Sequence, residues 1–330
     1  MKLSYLKWFI LVAVIVALWC VNVRYEIFAV NIPNGEEKRD ECLRVMTYNV
    51  NTTSSLKDVD GFKKGLIEEI NRHNPDVLCL QDLVPEIFKQ VQTSLDSLFG
   101  YVDSMKISKE PLRCAIYTKS PIRNFKRYKC TTEIDTIGFD SLTKKEIRQL
   151  TRQMPVFSAE IEVEPERWIT LFSVHLRSSA YSTARRSMDK DASWKDGIPL
   201  YYENYKVGQK IRNWEADNLR VHLEALEAED TPIIIAGDFN DWSGSYCMNT
   251  IKDGKYKDAW WEGGHGLGIT YDEWHLKLRL DHIIYSHHFR LENVYVEKSK
   301  FSDHRPLIAD FSLLPYQKDE KWIHNDSAAR

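Results

Sequence analysis

Short apolar runs recur from Leu43 to Leu314, and one after another ends in a polar side chain that a strand end does not itself require. Leu43–Tyr48 ends at Asn49, Val77–Leu80 at Gln81-Asp82, Trp168–Val174 at His175, and Pro232–Ala236 at Gly237-Asp238-Phe239-Asn240. Asp281-His282 and Ser302-Asp303-His304-Arg305-Pro306 stand beside two later runs. Apolar runs of about four to eight residues between turn signals read as buried strands. Between them lie stretches of helical period. Phe62, Leu66, Ile67 and Ile70 share one face of a helix over 58–73 that Asn74-Pro75 stops, Pro85–Phe99 forms a second helix, and Ile211, Trp214, Leu219, Leu223 and Leu226 line a third over 207–226. Val156–Val163 and Trp168–His175 predict a hairpin across residues 164–167, and Ala115–Tyr117, His282–Tyr285, Leu291–Val296 and Leu307–Ser312 are further strands. Strands and helices that alternate without a repeat predict an α/β sandwich, with helices covering two largely β layers. No glycine-rich loop follows the first strand, which argues against a dinucleotide-binding fold.

The chain has 330 residues and is 43% hydrophobic, enough for one large core. A net charge of -3 gives no global case for a polyanion binder, so any nucleic-acid contact must come from a local patch. Arg123, Lys126, Arg127 and Lys129, interleaved with Phe125 and Tyr128, are one such stretch, and a solvated strand face is its simpler reading. Cys79 and Cys114 read as core residues, whereas Cys42, Cys130 and Cys247 are available to pair in an oxidising compartment. The spacing of the cysteines shows no zinc or redox motif.

Trp8 to Val23 carries no charge, with Lys2 and Lys7 before it and Arg24 after it. This predicts a membrane anchor, with the following domain outside the cytoplasm on the periplasmic or extracellular side. Secretion after signal cleavage is the alternative. Residues 1–24 are thus expected to be anchor or signal, 25–41 a linker, 42–315 the folded domain and 316–330 a polar tail. Residues 177–205 form a polar insertion without clear period, expected to be a functional or mobile loop.

Singly, most of the polar strand-end residues are turn, cap or surface residues. Taken together they are the parts of a metal-assisted hydrolase. Asp82, Asp238 and Asp303 offer carboxylate oxygens, and Asn49 and Asn240 add amides, an oxygen-rich set that suits Mg2+, Mn2+ or Ca2+ better than zinc. Asp281 beside His304 would fix the imidazole tautomer and raise its basicity, making His304 a general base for water. Asp238 and Asn240 would orient that water. His175 would donate to a phosphate oxygen, a task for which Arg177 and Arg279 are also candidates.

The segments Arg44–Asn49, Pro75–Gln81, Ala115–Ile122, Ser173–Leu176, Ala236–Asn240, Arg279–Ile283 and Ser302–Pro306 together resemble the endonuclease/exonuclease/phosphatase superfamily. That group includes DNase I, the exonuclease III-type apurinic endonucleases, neutral sphingomyelinases and inositol polyphosphate phosphatases. The resemblance spans about Leu43 to Leu314. It implies a four-layer α/β sandwich, two packed mixed β-sheets flanked by helices, with Mg2+- or Mn2+-dependent hydrolysis of a phosphoester by an in-line water. It implies metal contacts from Asp82, Asn49 and Asp303, nucleophile and phosphate contacts from Asp238 and Asn240, an acid/base pair of His304 with Asp281, and phosphate contact from His175. The chain departs from the family where the second motif normally ends Gln-Glu, because here it reads Gln81-Asp82, one methylene shorter. Three functions follow as expectations: a membrane-tethered nuclease or phosphodiesterase, with Trp260, Trp261 and Trp274 as stacking surfaces; a phospholipid, inositol-phosphate or sugar-phosphate phosphoesterase; and a catalytically attenuated binding protein of the same fold.

Overall fold

A computed structural model describes residues 3–25, 37–38, 41–51, 59–83, 85–104, 112–128, 130, 132, 156–179, 194–273 and 276–315. Most of the expected linker, the expected tail, Asp58, Lys129, Trp274 and residues 180–193 of the polar insertion lie outside these.

Two six-stranded mixed sheets face each other. The first runs β13 (Phe289–Val296), β14 (Leu307–Leu313), β1 (Leu43–Asn49), β2 (Val77–Leu83), β4 (Leu112–Thr118) and β3 (Tyr101–Ser104). The second runs β5 (Ile122–Arg127), β6 (Val156–Glu164), β7 (Arg167–His175), β8 (Ile233–Asp238), β12 (Asp281–Tyr285) and β9 (Lys257–Asp258). A small ribbon, β10 (Tyr271–Glu273) with β11 (Leu276–Leu278), stands apart. Successive strand side chains point to opposite faces, and this sorts the apolar residues into three layers. Val45, Cys79, Ile116, Leu171, Ile234, Ile283 and Leu307 fill the space between the sheets. Met46, Tyr48, Leu78 and Leu80 face outward onto Phe62, Leu66 and Ile70 of α2 (Val59–His73) and Val91 and Leu95 of α3 (Pro85–Leu98). Phe172, Val174, Ile233 and Ile235 face the other way, onto Leu219 and Leu223 of α4 (Trp194–Glu227) and Met248 and Ile251 of α5 (Tyr246–Lys252). The four-layer sandwich expected from the sequence is the observed architecture.

Local chemistry sets the boundaries. Asn74, at φ +48, ends α2 by donating its N–H to the Ile70 carbonyl, ahead of Pro75. The β6–β7 turn is the expected one, with Glu164 opposite Arg167 and Glu166 at φ +62. The expected irregular insertion differs, because α4 already begins at Trp194 and runs 34 residues. Gly197 and Pro199 hide its period, being poor helix formers inside the first turns. The basic stretch is an edge strand. Arg123 pairs with Glu160 at 2.8 Å and lies over the Trp168 ring, while Phe125 packs on Phe157. Among the described residues, cysteines 42, 79, 114, 130 and 247 form no disulfide with one another.

The membrane expectation is corrected. Leu3–Tyr25 forms a helix, α1, yet no helix among the described residues is long and apolar enough to cross a membrane. The charge-free run between Lys7 and Arg24 reaches about 24 Å at 1.5 Å per residue, short of a hydrocarbon core of about 30 Å. The membrane-anchored assignment, the membrane as partner and a location outside the cytoplasm through that anchor lose their basis.

Candidate active site

The polar strand ends meet along one edge of the sandwich. In the second sheet β7 and β8 run parallel, with His175 opposite Asp238, and antiparallel β12 sets Asp281 opposite Asp238 on its other side. In the first sheet parallel β1 and β2 set Asn49 opposite Gln81. Gly237 allows the β7–β8 approach: it sits at φ +153, and a Cβ there would lie 2.0 Å from the Val174 carbonyl oxygen. Gly65 does similar work for the last motif. It leaves space on α2 for the Phe301 ring, which a Cβ would meet at 1.9 Å, and so seats the segment leading to Asp303 and His304.

Asp238 is the hub, at 1% exposure. Its Oδ1 accepts the Asn240 backbone N–H at 2.8 Å. Its Oδ2 accepts Asn49 Nδ2 at 2.8 Å, a bond that crosses between the sheets, and Asn240 Nδ2 at 3.0 Å. Nε2 of His175 and Nε2 of His304 lie 3.6 and 3.8 Å from the same oxygen. Asn240 can reach back because its backbone turns at φ +52, a conformation that asparagine tolerates. On the far side of His304, Nδ1 lies 2.8 Å from Asp281 Oδ2, and the Tyr271 ring meets the imidazole edge-on. Thr270 Oγ1 holds the Leu280 and Asp281 backbone N–H groups at 3.0 Å each. Asp281 Oδ1 is buried without a hydrogen-bond donor.

Asp82 stands at the pocket's more open side, 26% exposed, with Oδ1 3.4 Å from His175 Nδ1. Its φ of +55 is left-handed. Aspartate enters that region more readily than longer side chains, which gives the Asp-for-Glu departure a local backbone reason. Asp303 is held by Asn51, whose Nδ2 lies 2.8 Å from both carboxylate oxygens while its N–H donates to Asn49 Oδ1. Ser302 Oγ donates to the Asn49 carbonyl and accepts the His304 N–H. Asn51 is the tie that the sequence did not announce, and Ser302 stands in the last motif without a role assigned from sequence. The only signal for Asn51 was a second asparagine two residues past Asn49.

Four carboxylates thus crowd around two imidazoles. Burial alone would lower the His304 pKa, but the Asp281 and Asp238 charges, the Asp281 hydrogen bond and Asp303 raise it to about 10. Burial and the Asp281 charge push the Asp238 carboxyl up, against the pull of His304 and His175. Protons are held tightly because negative charge is concentrated out of water. A divalent cation answers the same excess, and the orphaned Asp281 oxygen fits such a centre. Ligand atoms of Asp238, Asp281 and His304 lie within 4.8 Å of one another, a coordination site within reach of one ion.

The expected arginines are placed differently. Arg279 is 8% exposed and tied to Asp258 at 2.9 Å and Ser243 Oγ at 2.5 Å. Burial would raise the Asp258 carboxyl, but His282 and Arg279 together hold it well below the usual range. The backbone N–H of half-buried Arg177 donates to Glu215 Oε2, and its carbonyl accepts from Arg212. Arg212, fully buried on α4, also bonds Ser179 Oγ at 2.9 Å and lies 3.3 Å from Asp241. It therefore joins the loop after His175 to the loop after Asn240.

A family model described as Endonuclease/Exonuclease/phosphatase family matches residues 46–304. The chain belongs to this family. Solved structures of low sequence identity share its fold. The human Nocturnin catalytic domain with bound sulfate is 20% identical at TM-score 0.58, over 83% of this chain and 94% of that one. ANGEL2, a 2',3'-cyclic phosphatase, in complex with adenosine-2',3'-vanadate, is 18% identical at 0.59, over 82% and 96%. D. rerio TDP2 complexed with single strand DNA product is 17% identical at 0.56, over 82% and 99%. No curated protein matches the chain in sequence. The family match and the buried Asp238–Asp281–His304 centre make the chain a metal-dependent phosphoesterase.

Proposed function

We propose that the chain is a nuclease or phosphodiesterase that cleaves nucleic-acid phosphodiesters with a water activated by His304. The observation that carries the chemistry is the 2.8 Å contact between His304 Nδ1 and Asp281. With that nitrogen donating, Nε2 faces Asp238 and is the working atom. Cation charge among the carboxylates would offset the field that raises His304 to about 10 and free Nε2 to take a proton from water, and Asp281 then stabilises the imidazolium that forms. The Asp238 carboxylate and the Asn240 amide orient the water. His175 donates to a phosphate oxygen as charge builds there. Two uses compete for His304, as cation ligand and as base. A hard cation prefers oxygen, so we assign Mg2+ or Mn2+ to Asp82, Asn49 and Asp303 and the proton to His304. When bound, the cation supplies Lewis-acid polarisation of the phosphoryl oxygen.

Two exposed tryptophans favour a nucleic-acid substrate. Trp242 is 58% exposed in the loop just past Asn240, and Trp261 is 70% exposed with the Arg279 guanidinium over its ring. Arg279 also holds Ser243, so the two indoles border one rim. Trp260 belongs to the buried core instead. Base stacking on an aromatic ring contributes about 1–3 kcal/mol. Trp242→Ala should therefore raise KM for single-stranded DNA or RNA by roughly 5- to 150-fold and leave a small chromogenic phosphodiester unaffected. A panel of plasmid DNA, abasic duplex, RNA, sphingomyelin and inositol phosphates, assayed with Mg2+ and with Mn2+, makes the comparison. Turnover of only the lipid or inositol substrates sinks the nuclease reading. The lipid reading itself has lost the anchor on which it leaned.

An attenuated binding protein of the same fold remains the second reading, on the strength of Asp82. If reach limits catalysis, Asp82→Glu lowers the Mg2+ concentration for half-maximal activity and raises kcat. The glutamate must also adopt φ +55, at a cost of roughly 1–2 kcal/mol. No activity in either protein on any substrate of the panel would favour the binding reading.

A further inference from the structure

A second group of metal-ligating side chains lies at the opposite end of the same strands. Asp230 precedes β8, and His287 and His288 form the turn between β12 and β13. The catalytic carboxylates sit at the other ends of β8 and β12, about 17 Å away at 3.3 Å per strand residue. The two groups therefore share no ligand. Asp230 Oδ1 lies 3.2 Å from His288 Nε2 and 3.5 Å from His287 Nε2. The ligand atoms of all three residues fall within 4.8 Å of one another. Bonds of about 2.0–2.1 Å to a tetrahedral ion put neighbouring ligand atoms about 3.4 Å apart, so the spacing already suits an ion at the centre.

We propose that Asp230, His287 and His288 bind a d-block divalent cation of the zinc class. The ligand type argues for that class over Mg2+. Two imidazoles with one carboxylate are the donors that zinc takes in open sites, leaving a fourth position for water. The supporting shell is present. Ser286 Oγ lies 2.9 Å from His288 Nδ1 and is itself fixed by accepting the Ile233 N–H at 3.0 Å. In the tautomer that donates Nδ1–H to Ser286, His288 Nε2 presents its lone pair toward Asp230 and His287. Such a bond on the remote nitrogen orients metal-binding histidines in general. Nε2 of His288 is buried with no well-formed hydrogen bond, and the polar atom it faces is the Asp230 oxygen 3.2 Å away. The two imidazole rings stand 4.0 Å apart at 32°, both beside Asp230. A cation here would fasten the entry to β8 onto the β12–β13 turn, at the end of the strand pair remote from Asp238 and Asp281.

The test titrates Zn2+ by calorimetry into the full chain held in saturating Mg2+, for wild type and for the double variant His287→Ala, His288→Ala. Wild type is expected to take up one more zinc than the variant, with a dissociation constant in the micromolar range or below. Zinc should raise the wild-type Tm by several degrees and the variant's not at all. Mg2+-dependent hydrolysis should be equal in the two proteins. Zinc-edge anomalous diffraction should place the ion between the three side chains. Equal uptake by both proteins, uptake only at millimolar zinc, or anomalous density confined to the catalytic pocket overturns the proposal. Asp230→Asn, at a side chain 60% exposed, repeats the comparison should the double variant fail to fold.

Discussion

His304→Ala is expected to lower kcat by roughly 10²–10⁴-fold, the range for loss of a positioned general base, while the fold persists. The side chain is buried against Asp281, so the urea midpoint should fall, while far-UV circular dichroism should show the fold retained. Asp281→Asn is the companion. Its amide can leave the His304 proton on the wrong nitrogen, which removes the acceptor that Nε2 must offer. The two substitutions act on one unit, so the double variant should be hardly worse than either single one. Adding back imidazole should restore part of the activity of His304→Ala and none of that of Asp281→Asn. Unchanged turnover in His304→Ala would sink the assignment of the base. A loss confined to KM for Mg2+ would instead make His304 a metal ligand.

Asp310→Ala is expected to destabilise the fold by about 3–5 kcal/mol, the usual cost of breaking a buried ion pair on one side. That is a large part of a total stability of roughly 5–15 kcal/mol. Arg44 Nε and Nη2 bond the two Asp310 oxygens at 2.6 and 2.8 Å, and both side chains are at most 3% exposed. Nη1 of Arg44 caps the end of α2 by donating to the His73 carbonyl at 2.9 Å. Removing the carboxylate strands a guanidinium between sheet and helix. The double substitution Arg44→Met, Asp310→Leu should recover most of the loss, because no charge is then left buried. Urea midpoints of the three variants decide. A cost below about 1 kcal/mol for Asp310→Ala would mean that water reaches the pair.

Much of the fold could be read because strand and helix periods are local properties. Val77, Leu78, Cys79 and Leu80 form a continuous apolar run because the two faces of β2 enter different cores. Phe62, Leu66 and Ile70 recur at helical spacing because one face of α2 covers a sheet. The N-terminal segment misled because an apolar run suggests a span before its length is weighed. The start of α4 was missed because Gly197 and Pro199 break the local signal while the rest of the helix carries it. Arg279 is a candidate for phosphate contact by its charge. Its partners are Asp258 and Ser243, which no spacing announces.

The polar strand ends follow the same division. The chain by itself determined which chemical groups are available, their order, and that strands of alternating face would carry them to sheet edges. It also marked Asp82 as the point of departure. Only the tertiary structure decided that Asp238 would be the hub, with Asn49 bonded to it across 189 residues. The same holds for the left-handed backbone of Asp82 and for Trp261 standing outside while Trp260 packs inside. Periodicity acts between neighbours in the chain. The sharing of one carboxylate among several donors depends on how two sheets, each built from distant segments, are pressed together by the cores between and around them.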